Sequence, residues 1–108
     1  MGNIISVDET NFEAEVINAS LPVLVDFWAP WCPPCRKLGP TLEKVAEELD
    51  GRLKIVKVNV QELSSLATAH GVLNIPTMVI FKNGEEVTRM VGNRPQKKLV
   101  EDLEPYLS

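Results

Sequence analysis

The feature that most constrains this chain is an apolar run, Val23–Trp28, which leads into the only two cysteines of the sequence, Cys32 and Cys35. The run shows almost no polar alternation. Such a strand is typically buried on both faces, in the middle of a sheet with helices on each side. A helical pattern of apolar residues spaced by three and four begins near Pro34. Two thiols separated by two residues, where a strand passes into a helix, indicate a redox site.

The spacing of apolar residues and turn residues predicts the rest of the fold. The 108 residues are predicted to form one domain, residues 1–108, with elements in the order β-α-β-α-β-α-β-β-α and a first strand over residues 3–7. Helices link the first three strands, which favours parallel pairing. Asn83-Gly84 lies between the last two strand-like segments and predicts an antiparallel hairpin. The sequence therefore predicts an α/β fold with a mixed sheet.

The charge distribution narrows the expected partners. The formal charge is -4, from 15 acidic and 11 basic residues, and no basic run is long enough to follow phosphates, so nucleic acid is not an expected partner. The apolar stretches are strand-sized, so no membrane span is expected. Residues 1–8 lack the pattern of a signal peptide, which favours the cytoplasm, a reducing compartment. There a cysteine pair is more often catalytic or metal-binding than structural.

The two cysteines have different positions relative to the helix. Cys32 precedes it, where free N–H groups and the positive end of the helix dipole favour a thiolate, so Cys32 is predicted to be the nucleophile. Cys35 lies in the first turn and is predicted to resolve the mixed disulfide. Its N–H group remains available to Cys32, whereas Pro33 and Pro34 have none. A zinc site needs two further ligands, and a single histidine, His70, remains, so no metal is expected.

Asp26 is a carboxylate inside the apolar run, and an unpaired buried charge costs several kcal/mol or more. One interpretation is a proton acceptor for Cys35, with Lys57 on the next strand as its partner. The other is a buried ion pair with Lys57, or an aspartate at the solvent end of its strand. The sequence leaves both open.

Three further residues carry expectations of their own. His70, next to Gly71, is expected to be a solvated residue at a helix end. The peptide bond before Pro76 is expected to be trans, because about 5–6% of X–Pro bonds in folded proteins are cis. Trp31, a large apolar residue beside the thiols, is predicted to belong to a docking patch.

The segment from Asp26 to Cys35, Asp-Phe-Trp-Ala-Pro-Trp-Cys-Pro-Pro-Cys, resembles the active-site signature of the thioredoxin family. The resemblance covers the whole chain and includes Pro40, Lys57, Ile75-Pro76-Thr77, the Phe81 to Glu85 segment and Val91-Gly92. It implies a thioredoxin fold, with a five-stranded mixed sheet of order 1-3-2-4-5 flanked by four helices. It also implies a cis bond before Pro76, facing the sulfurs, and a role for Asp26 in assisting Cys35.

The resemblance further implies a monomer with a redox-active Cys32–Cys35 disulfide, no bound cofactor, and electrons supplied by a thioredoxin reductase. Disulfide-containing protein substrates would dock on Trp31, Asn74, Ile75, Pro76, Val91 and Gly92. The sequence departs from the family pattern at Pro33, where glycine is most frequent. It also departs at Gln61, where many relatives have an acidic residue, and at Asn74, where the residue is frequently smaller.

The leading functional hypothesis is a protein-disulfide reductase. One alternative is a redox protein of shifted poise, an oxidant, an isomerase or a dedicated-partner reductase, because Pro33 lies between the thiols. Pro33, together with Pro34, is predicted to tune the redox poise of the cysteine pair by stiffening the loop between the thiols. The other alternative is a non-enzymatic binding module that uses the surface of Trp31 and Ile75.

Overall fold

The computed structural model describes residues 4–107, in which five strands form one mixed sheet. The strands are β1 Ile5–Ser6, β2 Val23–Trp28, β3 Lys54–Asn59, β4 Thr77–Lys82 and β5 Glu85–Val91. Their order is β1-β3-β2-β4-β5, which confirms the order implied by the resemblance. β3 runs parallel to β1 and β2, while β4 runs antiparallel to β2 and β5. β1 is shorter than predicted, and the predicted start of this strand, Asn3, lies outside the described residues.

Helical segments cover both faces of the sheet, as the buried central strand predicted. They are a π-helical segment Glu13–Ile17, α1 Pro33–Glu48, α2 Ser64–Ala69, α3 Gln96–Leu103 and a 3-10 turn Glu104–Tyr106 that continues α3. Buried residues of α1 and α3 share one core cluster with one face of the sheet. The π-helical segment and α2 contribute to the core on the other face.

The side chains of β2 alternate between these two cores because successive residues of a strand point to opposite faces. Leu24 belongs to the core under α1 and α3, whereas Val25 and Phe27 belong to the core under α2. Asp26 therefore points toward the α1 face of the sheet, and this places its carboxyl group on the same side as the helix that carries Cys35.

The predicted hairpin is confirmed, since β4 and β5 are antiparallel neighbours joined by Asn83 and Gly84. Both turn residues have positive φ, 54° at Asn83 and 81° at Gly84. Asparagine and glycine tolerate this left-handed region better than other residues.

Replacing Gly84 with alanine is expected to lower the free energy of unfolding by about 1–3 kcal/mol, because alanine is strained at positive φ. The added Cβ would also lie 3.1 Å from the Ile17 carbonyl oxygen. Urea denaturation measures this loss. Gly39→Ala in α1 is the matched control: its Cβ meets nothing within 4 Å, so a gain of about 0.5–1 kcal/mol is expected. Equal effects of the two substitutions would contradict the strain argument.

Candidate active site

The cysteine pair lies where the central strand passes into α1. Cys32 is the N-cap residue, with an extended backbone (φ -97°, ψ 109°), because a residue before proline is disfavoured in helical conformation. α1 begins at Pro33, whereas the sequence pattern indicated a start near Pro34. The first helical position tolerates proline because its N–H would have no partner within the helix. This start places Cys35 at the third position of α1.

The two sulfurs form a disulfide, with the Cα atoms of Cys32 and Cys35 5.2 Å apart. Both residues are buried. The backbone N–H of Cys35 donates a hydrogen bond to Cys32 Sγ at 3.3 Å, which confirms the donor predicted from the sequence. Pro33 and Pro34 supply no donors. In the reduced protein, a negative charge on Cys32 at this position would be stabilised by the Cys35 N–H and by the positive end of the α1 dipole.

The loop before β4 faces the cysteine pair from the opposite side. The Ile75 carbonyl oxygen lies 3.9 Å from Cys32 Sγ, close enough to accept a hydrogen bond from a Cys32 thiol in the reduced protein. The bond between Ile75 and Pro76 is cis. The trans bond expected from general frequencies is therefore wrong, and the cis bond implied by the resemblance is confirmed. The Gly92 N–H donates to the Pro76 carbonyl at 2.8 Å, which joins this loop to the end of β5.

Exposed apolar side chains surround the cysteine pair and the loop before β4. Trp31, next to Cys32, is 64% exposed, and Val91, next to Gly92, is 52% exposed. Asn74 is exposed and Ile75 is partly buried against the cysteines. Leu73 is 92% exposed, although the sequence arguments did not select it. The sequence could have indicated Leu73, because it is an apolar residue directly before the segment predicted to bind substrates.

Asp26 is 1% exposed, so its placement at the solvent end of a strand is wrong. Its Oδ1 atom has no hydrogen-bond partner, and the ion pairs of residues 4–107 do not include its carboxylate. Burial raises the pKa of Asp26 to about 7, and the positive charge of Lys57 opposes part of this rise. The carboxyl group therefore gains and loses its proton near neutral pH.

Lys57 is the direct neighbour of Asp26 across the β2–β3 pair, as expected for adjacent strands. Its ammonium group does not pair with the carboxylate at contact distance. Lys57 Nζ lies instead 4.1 Å from the centre of the Trp28 ring, where the ring face attracts a cation. Lys57 thus acts on Asp26 through its electrostatic field.

His70 is not the solvated residue that the sequence suggested. Its ring packs against Phe12, Phe27 and Phe81, with ring centres 5.0, 6.0 and 5.7 Å away. Burial lowers the pKa of His70 and favours the neutral ring, while Glu86 raises this pKa and Arg89 lowers it. The end of α2 faces the sheet, which brings His70 into the aromatic cluster.

Within residues 4–107, no group of three or more histidine, cysteine, aspartate or glutamate side chains is arranged to hold a metal ion. None of the helices in the described part of the chain has the length and apolar character needed to cross a membrane.

A buried cysteine pair at the first turn of a helix, facing a cis-proline loop at the end of a mixed sheet, defines the class of the protein as a thiol-disulfide oxidoreductase. Residues 3–105 match the sequence profile of the family described as Thioredoxin. The chain belongs to the thioredoxin family, whose members carry electrons in the cysteine pair itself and use no bound cofactor.

Relatives match over nearly the full length of the chain. A thioredoxin of Pyropia yezoensis is 43% identical over 106 residues, which cover 98% of this chain and 99% of the relative. Thioredoxin 1 of Nostoc sp. is 44% identical over 101 residues, 94% of each chain. A thioredoxin of Haemophilus influenzae is 37% identical over 107 residues, 99% of this chain and 100% of the relative.

Proposed function

We propose that this protein reduces disulfides of other proteins, with Cys32 as the nucleophile and Cys35 as the resolving thiol. The observation that carries this assignment is the placement of Cys32 Sγ at the N-cap of α1, where the Cys35 N–H contacts it. The Cys32 thiolate attacks one sulfur of the substrate disulfide, and the other substrate sulfur leaves as a thiolate. The Cys35 thiolate then attacks Cys32 Sγ, which forms the Cys32–Cys35 disulfide and releases the second substrate thiolate. Two electrons pass to the substrate.

Asp26 is proposed to accept the proton of Cys35 when this thiol attacks the mixed disulfide. A buried carboxyl group with a pKa of about 7 exchanges protons near neutral pH, which suits a general base. Support also comes from the alternation of β2, which directs Asp26 toward the face covered by α1. Lys57 would tune the proton affinity of Asp26 through its charge, since the two residues are paired in register.

Pro33 and Pro34 are proposed to tune the redox poise by restricting the backbone of the dithiol loop. Each proline fixes its own φ and also limits the residue before it, so the loop has fewer conformations available in either redox state. Equilibration with a glutathione couple measures the resulting reduction potential.

The docking surface for protein substrates is proposed to consist of the exposed apolar side chains around the cysteines and the cis-proline loop. Exposed apolar side chains that cluster beside a reactive group are typical of interaction sites. The surface combines exposed Trp31, Leu73, Asn74 and Val91 with partly buried Ile75 and Gly92, and it includes buried Pro76 of the cis-proline loop.

Leu73→Glu is expected to lower kcat/KM for a protein disulfide roughly fivefold to tenfold, because the apolar side chain of Leu73 would otherwise be buried against the docked substrate. Its rate with a small disulfide such as 5,5′-dithiobis(2-nitrobenzoate) should remain unchanged. Val87→Glu is the matched control, because Val87 is also an exposed apolar residue (40%) but lies on β5 away from the loop. An equal loss from both substitutions would show that Leu73 has no specific role in docking.

A thioredoxin reductase is proposed as the electron donor, and the protein is proposed to act as a monomeric single domain in the cytoplasm. The test couples the oxidised protein to a thioredoxin reductase, NADPH and a protein disulfide, and follows NADPH oxidation. Turnover that depends on the protein supports the proposal, and absence of turnover overturns it. A solution mass near the chain mass of 12.0 kDa, measured by light scattering, would support the monomer.

A further inference from the structure

Arg89 on β5 makes polar contacts that the exchange chemistry described above does not use. Its guanidinium group donates to the carbonyl oxygens of His70 at 2.8 Å and Gly71 at 3.3 Å. We propose that Arg89 is a positioning residue for the docking of protein substrates, which fixes the start of the loop that carries Leu73 and Asn74 of the proposed docking surface. This inference rests on the proposed function of the cysteine site.

The end of α2 leaves these two carbonyl groups without partners inside the helix. Gly71 has a φ of 65° and ends the helix in a Schellman motif. In this motif the Gly71 N–H donates to the Thr68 carbonyl and the Val72 N–H donates to the Ala67 carbonyl. This closure uses the N–H groups and turns the following carbonyl groups outward. The Arg89 side chain satisfies both of them, so the first residues of the loop are held by β5.

Glu86 holds the guanidinium group in the orientation that these contacts require. Its carboxylate accepts hydrogen bonds from Arg89 Nε at 2.7 Å and from Arg89 Nη2 at 2.8 Å. A planar guanidinium bound at two points by a carboxylate has little freedom to rotate. The remaining N–H groups of Arg89 are thereby directed at the end of α2.

The other end of the same loop is also attached to β5. The Gly92 N–H, just after β5, donates to the Pro76 carbonyl at 2.8 Å, and the Thr77 hydroxyl group donates to the Asn74 carbonyl. One strand therefore holds the loop at both ends, with exposed Leu73 and Asn74 between them. Loss of the Arg89 contacts would release the start of the loop and leave Leu73 and Asn74 free to move, while the Gly92 N–H would still hold Pro76 beside the cysteines.

A positioning role can be separated from a structural one. The Arg89 and Glu86 side chains are 32% and 36% exposed, and partly exposed ion pairs contribute little to global stability. Arg89→Gln should therefore change docking of a protein substrate more than it changes the melting temperature. Arg52→Gln is the matched control, because Arg52 also pairs with a glutamate, Glu104, but on a different part of the surface.

The experiment measures kcat and KM for a protein disulfide with NADPH and an excess of a thioredoxin reductase, which re-reduces the protein after each cycle. It also measures the rate at which the pre-reduced protein reduces 5,5′-dithiobis(2-nitrobenzoate), which needs no docking surface. Arg89→Gln is expected to raise KM for the protein disulfide roughly fivefold to tenfold, while kcat and the rate with the small disulfide stay near those of the unmodified protein. Arg89→Lys should recover part of the affinity, since lysine can donate to one carbonyl but lacks the planar fork. Hydrogen exchange of the Gly71 and Val72 amides should become faster in Arg89→Gln and stay unchanged in Arg52→Gln.

An unchanged KM with unchanged exchange of these amides would overturn the inference. An equal loss with both disulfides would also overturn it, because general damage rather than loop position would then explain the result. If the unmodified protein reduced neither disulfide, the proposed function itself would fail, and that outcome is recognised before any variant is made.

Discussion

Replacing Cys32 with serine is expected to abolish reduction of protein disulfides, whereas replacing Cys35 with serine should leave a stable mixed disulfide between Cys32 and the substrate. Serine keeps the size of the side chain but forms no thiolate at neutral pH. Without Cys32 no attack on the substrate occurs, and without Cys35 the mixed disulfide has no internal thiol to resolve it. Turnover assays measure the first effect, and mass spectrometry of the trapped adduct measures the second.

This pair of variants separates the roles of two residues that burial alone does not distinguish. Cys32 is 4% exposed and Cys35 is 3% exposed in the disulfide form, so the assignment depends on the N-cap position of Cys32 and its contact with the Cys35 N–H. The double serine variant is the control for non-specific capture. Full turnover with Cys32→Ser, or an adduct formed through Cys35, would contradict the assignment.

Asp26 is expected to make the folded protein less stable as pH rises from about 4 to about 7. Its pKa is about 7 in the folded protein, against an ordinary value of 3.8. Below pH 3.8 the carboxyl group is protonated in both states. As pH rises, the unfolded chain releases this proton first while the folded protein retains it, so the free energy of unfolding falls until the folded group also ionises. A difference between 3.8 and about 7 corresponds to about 4 kcal/mol.

Asp26→Asn removes this ionisation, so the variant should lose the decrease in stability and be more stable than the unmodified protein at pH 8 by about 1–4 kcal/mol. The lower limit allows for the cost of burying an amide without partners. Disulfide exchange should be slower in the variant because Cys35 loses its proton acceptor. Urea unfolding of the oxidised protein at pH 4 and pH 8 measures the stability, and stopped-flow exchange measures the rate.

Asp8→Asn is the control for this experiment. Hydrogen bonds with Thr10 lower the pKa of exposed Asp8, so its linkage has the opposite sign, and its removal should not abolish the decrease between pH 4 and pH 7. If Asp26→Asn kept the same dependence on pH as the unmodified protein, Asp26 would not be the group responsible.

The parts of the fold that depend on local patterns were accessible from the sequence. The apolar run of β2 predicted a central strand, Asn83-Gly84 predicted the hairpin, and the helical pattern after the cysteines predicted that Cys32 lies at the start of a helix. The first predicted helix is a π-helical segment, in which the Asn18 N–H donates to the Glu13 carbonyl five residues earlier, and the spacing of Phe12 and Val16 did not indicate this. Apolar spacing alone does not separate the two helix types.

The parts that depend on distant contacts were not accessible in the same way. His70 is partly buried against aromatic rings from three distant parts of the chain, and Arg89 donates to carbonyl groups 18 and 19 residues away in sequence. No periodicity encodes such contacts, since they depend on how strands and helices pack in three dimensions. The cis bond before Pro76 was likewise implied by the family resemblance and not by local preference.

The disulfide links cysteines only three positions apart, so it closes a very short loop. Such a link restricts the unfolded chain little and contributes about 2 kcal/mol in the entropic account. Folding and reduction form a closed thermodynamic cycle, in which any preference of the folded chain for one redox state shifts the reduction potential by 30 mV for each 1.4 kcal/mol. Substitutions far from the sulfurs can therefore change the direction of electron flow, provided that they stabilise the oxidised and reduced folds unequally.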